Sequence, residues 1–90
     1  VALVRETGDT RFGAYTLEAL AHLADARGDG AAASRFLGLA DALREQIGSP
    51  RSPAEVEELQ GLLALHAPLR AVAPTLDAAL QAAEDWLGRA

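Results

Sequence analysis

The sequence predicts an all-α fold built of antiparallel helical hairpins, and three observations lead to this prediction. First, 21 alanines and 15 leucines stand against four valines and one isoleucine. This composition favours helices over sheets, because Ala and Leu lose little free energy on entering a helix. Second, apolar residues recur at helical spacing in four segments. Third, most links between these segments are short, and short links make neighbouring helices antiparallel.

The 90 residues are enough for one small domain. We divide them into residues 1–9, the end of a preceding helix and a turn; residues 10–48, a helical hairpin; and residues 49–90, a degenerate second hairpin or a pair of capping helices. The chain opens inside a helical pattern, as a fragment of a longer protein would. The apolar stub Val1–Val4 lacks a hairpin partner, so we expect it to pair with another chain in a weak homodimer.

The first hairpin is predicted from the helical spacing of its apolar residues and from the residues at its helix ends. A helix is expected over 11–27, after a break at Gly8, and a second helix over 31–47. Gly28 and Gly48 stand where helix C-termini favour a left-handed residue, and Asp29 can cap the second helix. The apolar positions of the first helix are Phe12, Leu17, Leu20, Ala21, Leu23 and Ala24. Those of the second are Ala33, Phe36, Leu37, Ala40, Leu43 and Ile47.

Two further helices follow. Ser52-Pro53-Ala54-Glu55 is a strong helix start, with a capping Ser, Pro in the first turn and a Glu that reaches back. Pro68 predicts a break or kink between residues 66 and 70, and Pro74-Thr75 opens the last helix. The apolar positions are Val56, Leu59, Leu62 and Leu63 in the third helix, and Leu76, Ala79, Leu80, Ala83 and Leu87 in the fourth. Trp86 is expected to pack back on the fold; the alternative is a contact left exposed for a partner.

Composition and charge exclude several classes of function. The net charge is −5 and there is no basic run, which counts against nucleic-acid contact by this segment. No apolar run approaches the ~20 residues that span a bilayer, so we expect no membrane contact and a cytoplasmic location. Without Cys there is no thiolate nucleophile, and without Lys there is no phosphate-binding loop. The arginines are interspersed with acids and are interpreted as a mixed surface.

Four residues at three- and four-residue spacing form one stripe of the first helix: Tyr15, Glu18, His22 and Asp25. They are our candidates for ligand or partner contact, and the alternative is an ordinary solvated helix face. Glu18 and His22 could hold a metal, but a surface charge pair is the simpler interpretation, so we predict no metal and no cofactor. The acids of the third helix, Glu55, Glu57 and Glu58, are explained by the helix dipole. His66 is interpreted as a helix-end residue. No constellation supports an enzyme.

The first hairpin, residues 14–45, resembles the tetratricopeptide repeat, which needs small residues where two helices cross and large ones between them. Ala21 can pack near Ala33, with Leu20 and Leu37 beside them. The chain departs from the pattern at Ala24, where an aromatic residue is common, and at Glu45, where Pro is common. The resemblance implies that the stripe of Tyr15, Glu18, His22 and Asp25 lines a concave groove.

The residues around the first hairpin make the resemblance more specific. The chain resembles the C-terminal helical-repeat region of bacterial transcriptional regulators of the LuxR and antibiotic-regulator classes. These regulators combine helical repeats with a signalling ATPase. The resemblance is carried by residues 14–24, 27–29, 33–38, 42–48 and 53–55. The resemblance implies a non-enzymatic module that binds a protein, a peptide or another ligand, or the upstream ATPase module of its parent. The alternative is a structural helical bundle that serves only dimerisation or scaffolding.

Overall fold

The computed structural model describes residues 8–71 and 74–89, and in these ranges the chain is all-helical, without strands. The four helices are α1 (Thr10–Ala26), α2 (Gly30–Gln46), α3 (Pro53–Leu65) and α4 (Leu76–Arg89). The predicted all-α fold is therefore confirmed. The predicted stub and its dimer face, residues 1–7, lie outside the described residues, and the weak homodimer stays a prediction.

Local chemistry sets the ends of the helices, as the sequence indicates. Asp9 and Asp29 cap α1 and α2 through carboxylate oxygens 3.1 Å from the backbone nitrogens of Phe12 and Ala32. Ser52 and Glu55 form the reciprocal capping box of α3. The Thr75 hydroxyl accepts from the backbone N–H of Ala78 at the start of α4. Each cap thus satisfies backbone groups that a helix end leaves unpaired. The caps by Asp29 and Ser52 were predicted, and that by Asp9 was not.

The turns after α1 and α2 depend on glycine. Gly28 and Gly48 have φ of +75° and +61°, in the left-handed region where a Cβ is strained. α3 ends at Leu65, and His66 at its C-cap is already extended. The predicted break before Pro68 is therefore confirmed, and it comes as a clean end of the helix.

α2 is the central helix, and α1, α3 and α4 all run antiparallel to it. α3 begins near the end of α2, where Glu55 pairs with Arg44, and ends near its start, where the His66 ring lies against Gly30. α4 begins beside Gln46, whose side-chain amide donates to the carbonyl of Pro74 over 2.5 Å. It ends at the start of α2, where the Trp86 indole N–H donates to Asp29. α3 and α4 consequently run in the same direction as α1. They therefore do not form the second antiparallel hairpin that was one of the two arrangements predicted for residues 49–90.

The segment of residues 66–71, which we call the strap, crosses α2 between α3 and α4. The backbone N–H of Leu69 donates to the carbonyl of Ser34 over 2.9 Å. A Cβ on Gly38 would lie 1.6 Å from the carbonyl oxygen of Leu69. Only glycine at position 38 lets the strap lie this close to the helix.

The core is built from alanine, leucine and two aromatic rings. Ala21, Ala33 and Leu37 are fully buried and Leu20 is partly buried, as the hairpin pattern predicts. Phe36 and Trp86 meet edge to face with ring centroids 5.5 Å apart, and the Arg27 guanidinium lies 5.2 Å from the Trp86 ring centre. The prediction that Trp86 packs back on the fold is confirmed.

Five predicted apolar positions are nevertheless exposed by a third or more: Phe12, Leu23, Ile47, Val56 and Leu87. In α1 the buried face runs through Ala14 and Ala21. Phe12 precedes Ala14 by two residues and Leu23 follows Ala21 by two, and such a step turns the helix by roughly 200°. The prediction that Phe12 and Leu23 face the core is therefore wrong.

Candidate functional site: a groove between α1 and α3

The four candidate residues of α1 divide into two pairs. Glu18 is engaged by Arg44 and Arg51 and Asp25 by His66, whereas Tyr15 and His22 are exposed, Tyr15 by 49%. Within each pair the residues are seven apart, so they point in nearly the same direction. The stripe is therefore not a uniform solvated face: two of its residues are bound by other parts of the fold, and the other two remain exposed.

Glu18 is the centre of a buried ion cluster that we call the Glu18 cluster, formed by Glu18, Asp41, Arg44, Arg51 and Glu55. Arg44 binds Glu18 through two parallel hydrogen bonds, Nε to Oε2 at 2.9 Å and Nη2 to Oε1 at 3.0 Å. Arg51 Nε donates to Glu18 Oε2 over 2.7 Å. Two guanidinium groups thus neutralise one carboxylate that is almost wholly removed from solvent.

The cluster joins α3 to the hairpin. Arg44 Nη2 also donates to Glu55 Oε2 over 2.8 Å, and its Nη1 donates to the carbonyl of Ser49 over 3.3 Å. The backbone N–H and hydroxyl of Ser52, followed by the Arg44 guanidinium, lower the pKa of Glu55 to about 2. Hydrogen bonding to the Glu18 carboxylate raises the pKa of Arg44 above its ordinary value. The Glu55 carboxylate therefore serves both the cap of α3 and its attachment.

Arg51 is less completely satisfied than Arg44. Its Nη1 lies against Asp41 Oδ1 as an ion pair without the alignment of a hydrogen bond. Its Nη2 is buried and has no hydrogen-bond partner among residues 8–71 and 74–89. Arg51 therefore contributes charge to the cluster while leaving one donor unused.

The far end of α3 is attached by a second contact, between His66 and Asp25. His66 Nε2 lies 2.7 Å from Asp25 Oδ1, near the end of α1. His66 is the C-cap residue of α3, as a helix-end residue should be, and it also contacts α1 through its ring. Polar contacts near both ends of α3, from Glu55 to Arg44 and from His66 to Asp25, thus place it alongside α1 in the same direction.

A shallow groove of about 110 Å³ lies between α1 and α3. Its lining residues are Tyr15, Glu18, Ala19, His22, Glu55, Glu58 and Leu59. The structure therefore brings together three of the four candidates, Tyr15, Glu18 and His22, while Asp25 lies beyond the groove with His66. The Glu18 carboxylate is occupied by the two arginines, which leaves Tyr15, His22 and Glu58 as the groove's exposed polar and aromatic groups.

Two larger openings of about 560 Å³ each border the C-terminal half of α2. One lies toward the strap and is lined in part by Pro68 and Arg70. The other lies toward α3 and is lined in part by Val56 and Leu63. Neither has an aromatic wall. The groove is the opening that the sequence candidates share.

Four residues of the cluster were not predicted from the sequence as parts of a site: Asp41, Arg44, Arg51 and Glu55. The interpretation of Arg44 as mixed surface is wrong, because its side chain is only 3% exposed. A signal for it was present. Arg44 follows the buried Ala40 by four residues, and Glu18 follows the buried Ala14 by four, so both lie on core-facing stripes with opposite charges.

Within the described ranges, no group of three or more potential ligands is arranged to hold a metal ion. The same ranges contain no helix long and apolar enough to cross a membrane. Compared with protein-family models, curated proteins and solved structures, the chain gives no significant match.

Proposed function

We propose that this chain is a non-enzymatic interaction module of tetratricopeptide type that binds a protein or peptide partner in the groove between α1 and α3. The single observation that carries the proposal is the division of the α1 stripe. Glu18 is engaged by Arg44 and Arg51, Asp25 is engaged by His66 at the end of α3, and Tyr15 and His22 are left exposed beside the groove.

The course of the helices supports this proposal. α1 and α2 are antiparallel, and α3 runs in the direction of α1, which is the up-down-up order of a helical-repeat array. α4 departs from this order, because it runs parallel to α3. In such arrays, the first helix of each repeat lines a concave surface. Here the corresponding helices are α1 and α3, and the groove lies between them.

An exposed aromatic residue beside a preformed groove can anchor a partner, because aromatic rings bury a large area at low conformational cost. Tyr15 meets this description, since its ring is half-exposed and borders the groove. The surrounding side chains combine the apolar Ala19 and Leu59 with the polar His22 and Glu58.

By its resemblance to the LuxR and antibiotic-regulator classes, we further propose that the chain belongs to a cytoplasmic bacterial transcriptional regulator. Binding in the groove would then bias how the helices pack on an upstream ATPase module. The segment itself would contact no nucleic acid, in keeping with its net charge of −5.

The test is a comparison of captured proteins from a bacterial lysate, using the wild-type chain and the double variant Tyr15→Ala/His22→Ala as baits. Glu18 is left intact, because its loss would disrupt the buried cluster. We expect a partner held by the wild type and lost by the double variant, with both baits equally helical by circular dichroism.

The matched control is Phe12→Ala/Leu23→Ala, which removes two exposed apolar side chains of the same helix that do not line the groove. The partner should remain bound to this control. If the double variant retains every partner, the groove is not a binding site, and the alternative of a structural bundle for dimerisation or scaffolding is favoured.

A further inference from the structure

The groove carries an uncompensated negative charge. Its lining contains three carboxylates, Glu18, Glu55 and Glu58, and no arginine. Beneath it, Arg44 and Arg51 are already engaged by Glu18, Glu55 and Asp41. Two guanidinium charges against three carboxylates leave the Glu18 cluster one charge negative, and Glu58 adds a second.

The groove is too small for most free ligands. Small-molecule sites typically enclose about 300–1,000 Å³, whereas the groove measures about 110 Å³. This volume suits the end of one side chain that enters from a larger partner. The size therefore favours a polypeptide over a metabolite.

The exposed groups of the groove favour a planar cation. Tyr15 offers a half-exposed aromatic ring, and a guanidinium stacks on such a ring more readily than a compact ammonium does. Glu58 is exposed and offers a carboxylate that a guanidinium can bind through two hydrogen bonds. Arginine is the side chain that satisfies both groups at once.

We propose that the groove between α1 and α3 receives one arginine side chain of the partner polypeptide, with its guanidinium against the Tyr15 ring and paired with Glu58. This proposal rests on the proposed function and names the chemistry of the partner. His22 forms the neighbouring wall and contacts the aliphatic part of the arginine. The Glu18 cluster supplies the negative potential underneath.

The experiment is a nuclear magnetic resonance titration of the full chain with three Gly/Ser peptides that differ only at a central Arg, citrulline or Glu. Citrulline has the shape of arginine without its charge. We expect the Arg peptide to shift the Tyr15 and His22 ring signals saturably, and the Trp86 signals to stay unchanged. The affinity should fall as salt rises, because the attraction is electrostatic.

Two matched pairs of variants locate the contact. Glu58→Gln should weaken binding by about 3- to 10-fold, whereas Glu57→Gln, the same change on the neighbouring exposed residue, should alter it by less than about 2-fold. Tyr15→Ala should weaken binding to a similar extent as Glu58→Gln, and Tyr15→Phe, which keeps the ring, should not.

Three results would overturn the proposal: no saturable shift up to about 10 mM peptide, equal binding of the citrulline peptide, or an equal effect of Glu57→Gln and Glu58→Gln. The last result would indicate a diffuse acidic surface. If the lysate partner still depends on Tyr15 and His22, only the assignment of arginine fails. If no partner depends on them, the groove function itself fails.

Discussion

Glu18 of α1 and Arg44 of α2 are joined by two parallel hydrogen bonds inside a hairpin whose other buried residues are almost all apolar. Their side chains are 5% and 3% exposed. A buried pair of this kind resists the loss of either member, because the remaining charge cannot return to water. The pair also determines the position of α3, through the contact between Arg44 and Glu55.

The first prediction concerns this pair. Glu18→Gln should lower the free energy of unfolding by about 3 kcal/mol, because Arg44 and Arg51 then lose the carboxylate that they share. Arg44→Met should cost a comparable amount. The double variant Glu18→Gln/Arg44→Met should be more stable than the sum of the single effects implies, since neither charge of the pair is then left buried without the other. Urea denaturation measures all three variants, and strict additivity would contradict the coupling.

The second prediction concerns pH. Glu55 has a folded-state pKa of about 2, below its usual value of about 4.3. Its stabilising contribution is therefore complete above about pH 5 and is lost as the pH falls toward 2. The melting temperature of Glu55→Gln should lie below that of the wild type at pH 6, and the difference should shrink steadily between pH 5 and pH 3.

Glu57→Gln is the control for this titration. Glu57 is exposed on the same turn of α3 and makes no contact with the Glu18 cluster. Its melting temperature should follow that of the wild type at every pH. A pH-independent difference for Glu55→Gln would show that the loss of the cap, rather than the ionisation of Glu55, accounts for its effect.

The third prediction concerns the strap. Gly38→Ala should destabilise the protein although Ala is the better helix former, because the new Cβ would overlap the Leu69 carbonyl. The strap must then leave α2 and lose the hydrogen bond from Leu69 to Ser34. Trypsin should cleave the folded variant after Arg70 faster than the wild type.

Gly61→Ala provides the matched control, because a Cβ at this exposed helical position meets no atom within 4 Å. It should stabilise the chain by roughly 0.5–1 kcal/mol through helix propensity alone. If Gly38→Ala were stabilising to the same extent, the close approach of the strap to α2 would be wrong.

The fourth prediction concerns Trp86. Trp86→Ala should cost about 3–5 kcal/mol, because a large ring that is 9% exposed leaves the contact with Phe36. Trp86→Phe keeps an aromatic ring against Phe36 and should cost clearly less. Equal losses, measured by guanidinium denaturation, would place the stabilisation in the indole N–H bond to Asp29 instead of the ring contact.

Much of the fold could be predicted because its boundaries are local. Asp29, Ser52 and the three glycines with positive φ act within one turn of their own position, and local signals of this kind are visible in a sequence. The buried face of α1 was less predictable. Phe12 and Leu23 are apolar, and residue type alone assigned them to the core, although their angular position turns them outward.

The candidate site was predictable only in part. The spacing of the α1 stripe indicated four neighbouring residues, but no local signal shows which of them a distant partner will cover. Glu18 meets Arg44 and Arg51 only after α2 and α3 have docked, and Asp25 meets His66 in the same way. The sequence likewise does not show why position 38 must be glycine, because the reason is the close approach of the Leu69 backbone in the folded chain.

The central position of α2 means that most of its residues are covered and tolerate few substitutions, whereas the outer helices expose more residues that can change during evolution. Along α2 only Ala31, Arg35, Glu45 and Gln46 are exposed, because three helices and the strap cover the remainder. In α3 only Leu59 and Leu62 are buried. Substitutions can therefore accumulate on the outer surface of α3 and along the exposed edge of α1 while the architecture is retained. Descendants of one ancestral sequence could diverge in the partner they select and still share the same scaffold.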